Sequence, residues 1–154
     1  MANSPENKLG TTSSGALRAI AKARLAEFLF LKEAHPITAV YLAGYAVEAL
    51  LKCAICRRLG TDKLPIVFYF HDLKVLLYFS GLKDDLEREE NADVNTSFRS
   101  IAEIWSEKLR YEEIPSQRVN DSTCKNFDTW LNGYKNEKGE LVGAVVPWLE
   151  SRIQ

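Results

Sequence analysis

The stretch that decides the fold runs from Pro36 to Gly60, PITAVYLAGYAVEALLKCAICRRLG. It is apolar nearly throughout, and its only charges, Glu48, Lys52, Arg57 and Arg58, all fall in its second half. A helix that is hydrophobic on every side cannot lie on a surface, so this segment reads as the central member of a helical bundle. His35-Pro36 breaks whatever precedes it, because the residue before a proline is pushed out of the helical region and proline is well suited to a first helical turn. Gly60 supplies the stop, and Arg57 with Arg58 complements the carbonyl end. Glu48 and Lys52 interrupt the run before the ~20 apolar residues that a bilayer demands, so the reading excludes a membrane span.

Outward from this segment the helical period persists. Leu17, Ala21, Leu25 and Phe28 mark a first helix over about residues 13–33. After Gly60, residues 61–70 are too apolar for a free loop, and the expectation is a buried crossing segment. His71 or Asp72 caps a helix with the inward stripe Leu73, Leu76 and Leu77, ending at Ser80-Gly81. The charged piece LKDDLEREENAD reads as a short solvated helix or loop. Val94, Phe98, Ile101, Trp105 and Leu109 predict a helix over 93–110, and Cys124, Phe127, Leu131 and Tyr134 another opened by Asp121 or Ser122. Leu141, Val145, Trp148 and Leu149 suggest a last helix kinked at Pro147. No strand pair with a convincing turn is visible. The fold class is therefore all-α: an up-and-down bundle of four to five helices, with residues 1–12 a disordered N-terminus and 13–154 a single domain.

Composition agrees with one globular domain. The 154 residues, 46% hydrophobic and 27% charged, suffice for one core. A net charge of −1 gives no broad positive field for sequence-independent binding to nucleic-acid phosphates. The first residues, MANSPENKLGTT, have neither a basic start nor an apolar run, which points to the cytoplasm.

The candidate chemistry sits on the central helix. Tyr41, Tyr45, Glu48 and Lys52 are spaced four, three and four residues apart and so line one face. A carboxylate among apolar neighbours needs a partner, and Lys52, Arg110 or His71 can serve. Such a group either fixes helix packing or holds a ligand. His71-Asp72 at a helix start either caps free amides or receives an anion, and Tyr69, Phe70 and His71 together suit a phosphate or a stacked base. Cys53 and Cys56 have C-x-x-C spacing, but thiol activation needs the positive end of a helix and a zinc site needs a second pair, so they read as core thiols, with no metal and no cofactor.

Three blocks, YLAGYAVEALLKCAI at 41–55, HDLKVLL at 71–77 and WSEKLRY at 105–111, resemble the HEPN superfamily of small helical domains, and VVPWLESRI at 145–153 is compatible with it. The resemblance implies a bundle that is frequently dimeric, occurs in bacterial toxin–antitoxin and defence systems, and in some relatives accompanies a nucleotidyltransferase. It carries over Tyr45, Glu48, Lys52, His71, Asp72, Arg110 and Tyr111, which with Tyr41 form the expected ligand-binding set. Active relatives are metal-independent RNases with an Arg-x4-6-His motif. Here only His35 and His71 exist, and the nearest preceding arginines, Arg24 and Arg58, lie eleven and thirteen residues upstream. The expectation is accordingly a non-catalytic module that forms a homodimer and binds a partner protein or a nucleotide, the alternative being an RNase toxin using His71 and Arg110 on an RNA substrate.

Overall fold

A computed structural model describes residues 9–111 and 119–154. The chain is an all-α bundle, 71% helical, with two small strand pairs among the described residues. Strand β1 (Leu9–Ser13) leads into α1 (Ser14–Leu31), whose first turn is capped by the Ser13 hydroxyl accepting from the Ala16 amide at 3.1 Å. Residues 32–35 turn the chain back, and α2 (Pro36–Leu59) packs along α1 with the bounds the sequence implies. Gly60 ends it at φ 64°, a left-handed conformation that a side chain would strain, and the Thr61 amide donates to the Cys56 carbonyl to close the turn.

Next come β2 (Lys63–Pro65), a 3-10 turn (Ile66–Phe68), α3 (Leu73–Ser80), the single-turn α4 (Lys83–Leu86) and a second 3-10 turn (Glu89–Asn91). α5 (Ala92–Ile104) leads to a third 3-10 turn (Glu107–Tyr111). α6 (Asp121–Asn132), the hairpin strands β3 (Tyr134–Lys135) and β4 (Leu141–Val142), and α7 (Val145–Arg152) complete the order. Among the described residues four helices are of twelve residues or more, and the others are short pieces that close the bundle around them.

The core forms around α2. From Ala46 to Cys56 every residue is buried, and α1, α3, α6 and α7 all pack on this helix. By length and composition α2 alone among the described residues qualifies as a membrane crosser, yet 83% of its most apolar window is covered by the rest of the protein. It is a core helix. α7 is tied down by the Trp148 indole donating to Asn91 at 3.2 Å and by Arg152 donating to Asp85 at 2.9 Å. Leu73, Leu76 and Leu77 face inward as their spacing implies.

Several local expectations are corrected. Residues 61–70 do not cross the core: Leu64 is buried, but Ile66, Val67 and Tyr69 are exposed. The segment instead pairs β2 antiparallel with β1, so Leu9 to Thr12, assigned to the disordered terminus, are strand; residues 1–8 lie outside the described residues. Gly10 permits this pairing, since a Cβ there would collide with the Tyr69 ring and the Leu64 carbonyl. The helix expected over 93–110 ends at Ile104, because Trp105 adopts extended backbone. Tyr134 and Leu141 belong to the β3–β4 hairpin and are exposed rather than helical. Pro147 lies in the first turn of α7, where its missing amide has no intrahelical partner to lose, so the sequence feature read as a kink is a tolerated start.

Candidate functional site

Glu48 is the centre of the site. Only 4% exposed on the core side of α2, it is matched on both carboxylate oxygens. Lys52, one turn further on and 7% exposed, donates from Nζ to Oε1 at 2.6 Å, while His71 Nδ1 lies 2.9 Å from Oε2. Burying a charge without such partners costs several kcal/mol, so the two contacts make this position tolerable for an acid. Since a carboxylate only accepts, Nδ1 carries the hydrogen, and the imidazole as a whole is 39% exposed.

His71 reaches α2 because the residue after it anchors α3. The Asp72 side chain accepts from the Lys74 and Val75 amides at 2.9 and 3.0 Å. Asp72 thus spends its carboxylate on capping and stands outside the cluster. His35, by contrast, precedes α2 on the exposed surface without a side-chain cap.

Above Glu48 the two tyrosines extend the site. Tyr45 meets the His71 ring edge-on at 5.7 Å between centroids and Tyr41 at 4.9 Å, with 3.4 Å between the tyrosine hydroxyls. Burial, the Tyr41 hydroxyl and the nearby Glu48 charge hold the Tyr45 phenol far above its ordinary value, so it stays protonated and neutral. Arg110 comes from the 3-10 turn after α5. The Tyr41 hydroxyl beside it, and then Tyr111, hold its guanidinium above the usual arginine range, and it lies 4.7 Å over the exposed Tyr111 ring. Lys52, Glu48, His71, Tyr45, Tyr41, Arg110 and Tyr111 therefore form one continuous polar and aromatic chain from core to surface. Of the sequence-derived set, Asp72 alone is left out of it.

Trp105 belongs to this chain as well. Its indole donates to the Tyr41 carbonyl at 2.9 Å, its ring meets Tyr45 at 5.2 Å, and it lies so close over Gly44 that a Cβ there would overlap it. The sequence places Trp105 in an apolar stripe and in the block WSEKLRY, but gives its indole no partner. The available signal was Gly44, a helix-weakening residue in mid-helix, which implies a bulky neighbour at close range.

The cysteines are core. Cys53 and Cys56 are buried, Cys53 Sγ lying 3.6 Å from the Ser14 carbonyl, and burial pushes the Cys56 thiol up to about 11. Cys124 Sγ lies 3.3 Å from the Pro36 carbonyl. Among the described residues no group of three or more His, Cys, Asp or Glu side chains is placed to hold a metal ion.

The chain matches no known family, no characterised protein and no solved structure.

Proposed function

We propose that this chain is a non-catalytic, HEPN-like helical module of the cytoplasm that binds a nucleotide at the Glu48–His71 cluster and acts as a homodimer, beside a nucleotidyltransferase in a toxin–antitoxin or defence setting. The observation that carries the nucleotide reading is the enclosed Glu48, satisfied by Lys52 and His71, which fixes an imidazole and two phenols next to the surface cation Arg110. A guanidinium with hydroxyl donors suits a phosphate, and the exposed Tyr111 ring offers a face for a base. Dimerisation and the enzyme partner rest on the resemblance of the three sequence blocks.

Calorimetric titration with ATP tests the binding. Wild-type protein takes up the nucleotide, and Arg110→Ala weakens it about tenfold, the loss of one charge-assisted contact. Absence of binding by all four ribonucleoside triphosphates, or an Arg110→Ala variant equal to wild type, refutes the reading. Light scattering on the same sample reports the dimer.

One contact favours the catalytic alternative. With Nδ1 held 2.9 Å from the Glu48 carboxylate, His71 Nε2 is oriented to take a proton from a ribose 2′-hydroxyl while Arg110 offsets charge on the phosphate. RNA cleavage by the purified protein that disappears in His71→Ala selects this alternative; intact RNA removes it.

A further inference from the structure

We infer that Trp105 is a positioning residue that sets where Arg110 meets the ligand, an inference resting on the nucleotide reading of the site. The argument begins with the backbone. α5 ends at Ile104, and Trp105 turns the chain out of the helix at φ −78° and ψ 136° while its amide still donates to the Ile101 carbonyl at 2.8 Å. Only four residues, Ser106 to Leu109, then separate it from Arg110, and the last three lie in the 3-10 turn Glu107–Tyr111. A segment that short takes its position from its anchors.

Two anchors fasten it to α2. Leu109 is 2% exposed and fills the core next to Arg110. Trp105, 4% exposed, is held by three contacts of different kinds: the indole hydrogen bond to the Tyr41 carbonyl, the flat approach over Gly44, and the edge-on contact with Tyr45. Tyr41 thus stands between the two, its carbonyl taking the Trp105 indole hydrogen and its hydroxyl lying beside the Arg110 guanidinium. A filler residue needs only to occupy volume. A tryptophan whose single polar atom is spent on the backbone of the residue that touches Arg110 fixes the register between α2 and the turn that carries the cation. Removing the indole N–H while keeping an aromatic ring frees that register and leaves a carbonyl without its side-chain donor.

The test is a double-mutant cycle with Trp105→Phe, Arg110→Ala and the double variant, each titrated with ATP. Trp105→Phe weakens ATP binding about tenfold, yet on the Arg110→Ala background it changes affinity less than about twofold, because the two act as one unit. A tryptophan that merely fills space gives the same loss on both backgrounds, and that result, or wild-type affinity in Trp105→Phe, overturns the proposal. A ligand-free readout stands beside it: the Arg110 Nε–Hε cross-peak in a nitrogen-15 spectrum moves in Trp105→Phe, and an unmoved peak overturns the proposal by itself. Should wild type bind no ATP, the nucleotide reading falls while the spectrum still decides on Trp105. Should Trp105→Phe fail to fold, benzothienylalanine at 105, which keeps the bicyclic shape without the N–H, replaces it in both measurements.

Discussion

Lys52 and Glu48, 8% and 6% exposed in their side chains, bear the sharpest prediction at the scale of single residues. Removing one partner of an enclosed ion pair strands the other, so Lys52→Met is expected to cost about 3 kcal/mol in urea unfolding even though methionine fills similar space. The double variant Glu48→Leu/Lys52→Met strands no buried charge, leaving only the part-exposed His71 without its carboxylate, and loses less than the single one. A single variant within about 0.5 kcal/mol of wild type contradicts the enclosure argument. The line Tyr41, Tyr45, Glu48, Lys52 was legible because helical geometry converts a four-three-four spacing into one face. Of the candidate partners for Glu48, Lys52 and His71 meet it, whereas Arg110 meets Tyr41 and Tyr111 instead. That choice depends on where a turn some sixty residues away comes to rest, which no local pattern encodes. Trp105 stayed hidden for a related reason: apolar periodicity says that a tryptophan is inside, not that its nitrogen has an assigned acceptor.

At the scale of elements, apolar stripes mark the helices and glycine marks two of the stops, Gly60 and Gly81, while caps and strands are less accessible. α6 is opened by Asn120, one residue before the expected start: its side chain accepts from the Thr123 amide at 3.0 Å and Thr123 Oγ1 accepts from the Asn120 amide at 3.1 Å. This reciprocal pair satisfies two otherwise orphaned donors. Asn120→Ala is therefore expected to remove about 1 kcal/mol and lower the melting temperature by about 2–4 °C, read by circular dichroism. An unchanged melting curve counts against the cap. The strands β1–β2 and β3–β4 are only two to five residues long. Elements so short have no periodicity to detect, and they exist because the helices bring their backbones together. The stretch Ile66–Tyr69 teaches the converse, since apolar composition alone does not bury a chain that must run along an edge of the bundle.

For the whole molecule, the enclosure of α2 couples a single thiol to overall stability. Burial raises the Cys56 thiol from 9.0 to about 11 in the folded protein. The unfolded chain releases this proton first, so the contribution is fully present below pH 9.0 and is lost as pH climbs towards about 11. Urea midpoints measured across that window fall with pH, and Cys56→Ala makes the fall shallower; parallel curves for the two proteins contradict the assignment. The burial of α2 has a further consequence in time. Synthesis runs from the N-terminus, and a chain translated only as far as Gly60 has made its greasiest segment but, of its helical wrapping, only α1. Until α3 to α7 emerge from the ribosome, twenty-four residues able by length and hydropathy to enter a lipid bilayer are half-dressed, the kind of oily surface that chaperones exist to shield.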